Sequence, residues 1–263
     1  MREKQAVHEL SKNTRFRALH RRGSPLVLFN IWDVGSAKAV EEAGAQALAT
    51  GSWSVAAANG FSDGEHVPLE MTIENARRIA NSTTLPVSLD IESGYGTEPA
   101  QVGKTLTRVA QVGVVGCNIE DSVPGDGTLR PIAEQVARLR SARLAVDASC
   151  PDFFINARTD LFFQLSPEQH GLTLADNAIE RARAYAEAGA DGIFVPGLID
   201  EGLIAHICSA TMLPVNVMIG DTSPPLDRLG AAGVARISYG AGPYLGAMRA
   251  LRDAAAAAMQ LLP

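Results

Sequence analysis

The chain reads as a (β/α)8 barrel of the TIM type, and three observations carry that expectation. A short apolar run followed by a helix-like stretch occurs eight times over, the 263-residue length suits such a barrel, and prolines and glycines punctuate the alternation regularly. Pro25, Pro86, Pro151 and Pro214 stand before the odd-numbered strands, roughly 60–65 residues apart. Gly44, Gly113, Gly189 and Gly233 stand between a helix and each even-numbered strand, where glycine supplies the left-handed helix stop. A doubly wound open sheet would give the same local alternation. Its first strand should lead into a glycine-rich phosphate turn, and Asn30-Ile-Trp-Asp-Val-Gly35 is none.

The elements follow in order. Residues 1–23 form a leading helix with Leu10, Phe16 and Leu19 as apolar contacts, and 25–30 the first buried strand. A helix over 34–43 stops at Gly44, a short strand covers 45–50, and the small-residue stretch 51–60 follows without an assigned element. The helix 69–82 precedes the strand 87–91, which ends in Asp90 and Glu92. Later strands cover 114–120, 153–158, 192–195, 214–218 and 235–238. The helices after them cover 98–112, 132–149, 173–188, 200–210, 226–232 and the Ala-rich 242–261. Residues 1–263 are therefore expected to be one barrel domain with a leading helix.

An apolar fraction of 46% with 20% charged residues is ordinary for a protein with a substantial core. A net charge of −6 and a pI near 5.4 leave no basic stripe for nucleic acid. Cys117, Cys150 and Cys208 have no metal-ligand or disulfide spacing, the N-terminus carries no apolar leader run, and no stretch is long enough to span a bilayer. The expectation is a cytoplasmic protein without nucleic-acid or membrane partners.

In a barrel the functional site gathers at the C-terminal strand ends. Those ends offer Asn30 and Asp33, Thr50 to Ser52, Asp90 and Glu92, Asn118 and Glu120, then Asn156, Arg158 and Asp160. Pro196, Asn216, Met218, Ser238 and Tyr239 complete the set. The period of two puts Asp90 and Glu92 on one face, and likewise Asn118 with Glu120 and Asn156 with Arg158. Acids converging in an apolar barrel need a partner. Arg158 could neutralise Glu120 in a buried pair. Alternatively, Asp90, Glu92 and Glu120 hold a divalent cation, and an all-oxygen donor set suits Mg²⁺ or Mn²⁺ rather than Zn²⁺. Arg158 is then free to clamp a substrate carboxylate.

Five stretches carry a family resemblance: Asn30–Ser36, Ala49–Ala56, Asp90-Ile-Glu-Ser-Gly-Tyr-Gly96, Asn118-Ile-Glu-Asp121 and Asn156-Ala-Arg-Thr-Asp160. On these the chain resembles the isocitrate lyase/phosphoenolpyruvate mutase superfamily, and within it the short phosphonomutase-like bacterial members. The resemblance implies a Mg²⁺-dependent barrel acting beside an α-oxocarboxylate. It makes Asp90 the direct metal ligand, with Glu92 and Glu120 holding the metal mostly through water. It places Asp63 near the metal, Arg158 on the substrate carboxylate, and the amides around Gly51, Ser52 and Trp53 as a cradle. Gly94 and Tyr95 give the ligand room, and Asn216 reaches it. It also implies a homo-oligomer, dimer or tetramer, with the eighth helix swapped between subunits.

The chain departs from its relatives in the loop after Asp121. Isocitrate-cleaving members carry a Lys-Lys-Cys-Gly-His loop there, and phosphoryl-moving members a lysine and an asparagine; Ser122–Arg130 has none of these. Pro196 stands where the phosphoryl-moving members have histidine. The expected activity is a carbon–carbon lyase or decarboxylase on a small oxo or hydroxy acid, with Tyr95, Tyr239 or water returning the proton. The alternatives are phosphonopyruvate-type P–C chemistry with Arg130 and Asn216 on the phosphoryl group, and a non-catalytic oxo-acid binder. Trp53 is expected to narrow the pocket and Trp32 to pack in the core.

Overall fold

Eight parallel strands, in the order β1-β8-β7-β6-β5-β4-β3-β2, form the sheet of this computed structural model, which describes residues 11–260. The N-terminal part of the expected leading helix, residues 1–10, lies outside the described residues. β1 (Leu26–Leu28), β2 (Leu48–Ala49), β3 (Val87–Asp90) and β4 (Gly116–Glu120) are followed by β5 (Phe154–Arg158), β6 (Gly192–Phe194), β7 (Val215–Met218) and β8 (Arg236–Ser238). β1 and β2 share no ladder; the parallel Ile31–Thr50 bridge and the Gly51 N–H to Ile31 carbonyl bond close the barrel between them.

The strands are shorter than their apolar runs. At β1 the reason is visible: past Leu28 the side-chain Oδ1 of Asn30 takes the N–H groups of Tyr239 and Gly240 at 2.8 and 3.0 Å, doing the work of a ladder carbonyl. A parallel strand buried on both faces still needs every N–H paired, and a side-chain amide satisfies that as well as a neighbour strand.

Helices α1 (Lys12–Leu19), α2 (Val34–Glu42), α3 (Ser52–Ala58), α4 (Leu69–Ser82) and α5 (Pro99–Gln111) are followed by α6 (Ile132–Asp147), α7 (Leu172–Glu187), α8 (Glu201–Ala210), α9 (Leu226–Ala231) and α10 (Gly242–Met259). α3 occupies the stretch without an expected element: it starts behind Gly51, and only its last three residues, Ala56 to Ala58, have high helix propensity. Capping explains two other boundaries. Asp33 closes a capping box on Ser36 at the start of α2, and Glu98 does so with Gln101 ahead of Pro99 at α5. This places Asp33 on a helix cap, outside the lining of the cavity at the barrel mouth.

The bottom of the lumen is plugged by α1. Phe16 is fully buried with Leu26, Leu28, Ala47, Ala49, Val115 and Phe154, and His20 stacks on Phe154 at 4.1 Å between ring centroids. Arg22, beyond the end of α1, donates to the carbonyls of Cys208, Thr211 and Leu213 and so ties the chain entering β1 to the segment before β7. A second, larger apolar layer lies between sheet and helices, including Leu89, Ile91, Val102, Leu106, Cys117, Ile119, Leu139 and Ile155.

α10 stands apart from this packing. Of its side chains only Pro243 is buried, while Leu245, Met248 and Leu251 face outward. The outer face of β1, where a closing helix would lie, shows Val27 at 38% and Phe29 at 44% exposure beside a cavity of about 640 Å³. No described helix is long and apolar enough to cross a membrane.

Candidate active site

The mouth of the barrel holds a cavity of about 230 Å³. Gly51, Ser52 and Trp53 line it from the start of α3, Asp63 from the segment beyond, Asp90 from the end of β3, Asn118 from β4 and Arg158 from β5. Its remaining wall includes Phe163, Phe194, Pro196, Met218, Ser238 and Gly240.

On the β3 side the acids diverge. Asp90 stays at the mouth, where its Oδ2 accepts from the N–H and the hydroxyl of Ser52 at 3.2 and 3.0 Å. Glu92 lies beyond the strand end with φ 52°, which breaks the period-two projection that would have put it beside Asp90. Its Oε2 instead accepts from the Gly64 and Glu65 amides at 2.8 and 2.5 Å. Glu65 returns the tie: its Oε1 accepts from Ser93 Oγ and the Tyr95 amide, both at 2.7 Å. Glu65 (φ 61°), Glu92 (φ 52°) and Tyr95 (φ 54°) all hold left-handed backbone without being glycine, so strain is concentrated in this lock. Arg138 of α6, fully buried, donates to the carbonyls of Ser93, Gly96 and Thr97 and fixes the same turn from behind.

These acids carry uncompensated charge. Burial pushes Glu92 up to about 7, opposed by the Glu65 amide and reinforced by Asp90 and Asp63. Burial and then the Asp90 charge likewise hold Asp63 above the usual carboxylate range.

The β4–β5 side is different. Arg158 spans Asp160, with Nε to Oδ1 at 2.6 Å and Nη2 to Oδ2 at 3.0 Å, and its Nη1 meets Glu120 Oε2 at 2.9 Å. Ser122 Oγ bridges Glu120 and Asp160 at 2.8 and 2.9 Å. Behind them fully buried Asp121 accepts from the Asp160 amide at 3.0 Å, Arg181 at 2.9 Å and Tyr185 at 2.8 Å. Burial works against the Arg158 charge, but Glu120, Asp160 and Asp90 outweigh it and push its pKa up. Burial pushes Glu120 up while Arg158 pulls against it. The Arg158–Glu120 pair exists, half-buried rather than buried, and Arg158 still reaches the cavity.

Several expected site residues do not reach it. Tyr95 hydrogen-bonds Thr72 and Glu92 at 3.0 and 3.4 Å in a separate small recess. Gly94 (φ 107°) and Gly96 make room for Val102 and Gln101 of α5, not for a ligand. Asn216 is buried below the mouth, with Oδ1 on Ser238 Oγ at 3.3 Å. Arg130 is buried and pairs with Glu134 at 2.6 Å. Tyr239 turns its ring to Phe29 on the barrel exterior, 4.9 Å between centroids. Trp32 is half-buried against Tyr244, at 5.1 Å, rather than in the core. In the cradle the Gly51 N–H is taken by Ile31 and that of Ser52 by Asp90. Glu65, Arg138 and Arg181 were not singled out from the sequence; each acts across a distance the local pattern does not encode, whereas Asp160 was legible in its motif.

Among the described residues no three acids, histidines or cysteines close into a ready-made metal cage, because Glu92 is drawn to the 64–65 amides and Glu120 to Arg158. The donors nonetheless fit a hard, hydrated cation. Asp63 and Asp90 offer carboxylate oxygens to the cavity, their negative charge lacks a cation of its own, and Arg158 is already shared by two acids.

The description "phosphoenolpyruvate phosphomutase" belongs to the family whose pattern matches residues 16–259. The chain belongs to that family. The 2-methylisocitrate lyase of Escherichia coli K12 is 32% identical over 250 residues, covering 91% of this chain and 80% of that protein. A structure from Burkholderia cenocepacia J2315 with a provisional phosphonomutase label is 52% identical, with a TM-score of 0.90 over 92% of this chain and 96% of that one. A 2,3-dimethylmalate lyase structure, described as a PEP mutase/isocitrate lyase superfamily member, is 26% identical, with a TM-score of 0.83 over 96% and 88%. The protein is an enzyme of that superfamily of lyases and mutases.

Proposed function

We propose that the protein is a Mg²⁺-dependent carbon–carbon lyase or decarboxylase acting on a small 2-oxo or 2-hydroxy carboxylic acid. One observation carries the reading. The cavity sets a single guanidinium, Arg158, against Asp63 and Asp90, and the wall of Phe163, Phe194, Pro196 and Met218 adds no charge. That suits one substrate carboxylate and a chelated cation. Transfer of a phosphoryl group would need more positive charge around its oxygens. Arg130 and Asn216, the candidates for that role, do not line the cavity.

Asp90 and Asp63 would hold Mg²⁺ or Mn²⁺, with Glu92 and Glu120 acting through water. When bound, the cation supplies positive charge to the substrate oxygens on which electrons collect as the bond breaks. Arg158, rigid between Glu120 and Asp160, holds the substrate carboxylate and fixes the direction of the scissile bond. Trp53, Phe163 and Phe194 restrict water around it. Water at the mouth returns the proton, since Tyr95 and Tyr239 turn away and burial pushes the Cys208 thiol up to about 11. Cys117 is also buried, outside the cavity, among Leu89, Ile119 and Ile155.

The test is turnover of oxaloacetate, 2-methylisocitrate, dimethylmalate-type diacids and phosphonopyruvate, with Mg²⁺ and after chelation. Cleavage of a carbon acid, lost with chelator and restored by Mg²⁺, is the expected result. Phosphate release from phosphonopyruvate alone would overturn it.

The same reading extends to assembly. A second copy's α10 covers the bare outer face of β1, apolar side against Val27 and Phe29, giving the homo-oligomer with a swapped eighth helix. Light scattering should show a dimer or tetramer that Leu251→Asp dissociates.

A further inference from the structure

Beneath the mouth lies an arginine that the chemistry above does not use. Arg236, at the start of β8, is 1% exposed and points into the lumen. Its Nη2 donates to Asn118 Oδ1 at 3.2 Å, while Nε and Nη1 have no hydrogen-bond partner among the described residues. Asn216, its register partner on β7, likewise leaves Nδ2 buried and unpaired. Burial pulls the guanidinium down to about 10, and the Asp90 charge works the other way. A buried guanidinium so poorly satisfied is costly, and apolar residues of similar size would pack there at less cost.

What it achieves is legible at Asn118. Arginine has only donors, so the Asn118 atom facing it must be the oxygen. Asn156 Nδ2 donates to that same oxygen at 2.9 Å, and Gly192 keeps the space beside Asn156 free of any side chain. With Oδ1 committed twice below, Nδ2 is the end of the amide left for the cavity that Asn118 lines, and it has no protein acceptor among the described residues. We infer that Asn118 is a substrate-binding donor at the mouth and that Arg236 is the positioning residue that fixes its amide from beneath. The group received is an oxygen of the oxo acid that Arg158 holds, so the inference rests on the function proposed above.

Calorimetry of oxalate with Mg²⁺ tests it. Asn118→Ala and Arg236→Met should each weaken oxalate about tenfold, and the double variant should lose at most about twofold more, because both remove one donor. Arg236→Lys keeps a donor below Oδ1 and should stay within about threefold of the parent. With substrate, the single variants should raise KM more than they lower kcat. Additive losses, or parental affinity in Arg236→Met, would overturn the inference. A crystal structure of metal-free Arg236→Met gives a readout that needs no ligand: Asn118 should swing and lose Asn156, and an unmoved amide would refute the positioning role. If the parent itself bound no oxalate with Mg²⁺, the functional reading would fall, while that structure still decided what Arg236 does.

Discussion

On the β4–β5 side of the mouth every charge has a partner; on the β2–β3 side the acids have only dipoles. Arg158 sits between Glu120 and Asp160, and Asp121, Arg181 and Tyr185 brace Asp160 from behind. Asp90 and Glu92 receive N–H and O–H groups from Ser52, Gly64 and Glu65, on backbone that is strained at Glu65, Glu92 and Tyr95. The first side is held rigid by its own ion pairs, as the proposed role of Arg158 in holding a carboxylate would require. The second stores repulsion that a bound cation would relieve, and its stability would then depend on metal and pH.

The largest expected effect comes from breaking the satisfied side. Arg158→Gln should lower kcat/KM about a thousandfold and cost about 3 kcal/mol in urea unfolding, since Glu120 and Asp160 are left facing each other. Asp121→Asn should follow, with a similar loss of stability because Arg181 is left buried without its anion, but a smaller rise in KM as Asp160 loosens. A parental KM in Asp121→Asn would detach this network from Arg158.

The acidic side gives a titration. The native pKa of Glu92 is raised from the usual 4.5 to about 7, so the metal-free fold binds this proton more tightly than the unfolded chain. Its stabilising contribution is complete below about 4.5 and is lost as pH rises through about 7. Melting temperature of the metal-free protein should therefore fall from pH 5 to 8, in the direction linkage requires. Mg²⁺ should restore it most at the upper end, and Asp90→Asn should abolish that restoration. A melting temperature that rose with pH would contradict the stored repulsion. The smallest effect is at Trp53, 40% exposed at the rim: Trp53→Ala should change stability by less than about 1 kcal/mol and admit bulkier substrates. Unchanged selectivity would remove it from the pocket wall.

Much of this was legible before the fold. The eightfold strand–helix alternation set the strand count, with proline and glycine punctuation in support, and the period of two put Asn118, Asn156 and Arg158 on the inward face. Local pattern failed where the strand had ended: the side chain of Glu92, two residues past the end of β3 and with positive φ, follows the 64–65 amides instead of Asp90. It failed also at Gly94 and Tyr95, expected to give a ligand room: Gly94 packs against Val102 of α5, and Tyr95 bonds Thr72 in a separate recess. Small-residue composition hid α3, because alanine and serine carry no amphipathic signal.

By itself the sequence determined the barrel, the inward register of Asp90, Asn118 and Arg158, and the lack of a loop cysteine or lysine after Asp121. Those properties follow from strand periodicity and residue identity, which are local. Only the tertiary structure decided that Glu120 belongs to Arg158, that Glu65 and Glu92 lock two loops, that Arg236 stands under Asn118, and that α10 buries little against its own barrel. Each of these is a choice among partners distant in the chain, settled by which buried polar group or apolar face had no other way to be satisfied.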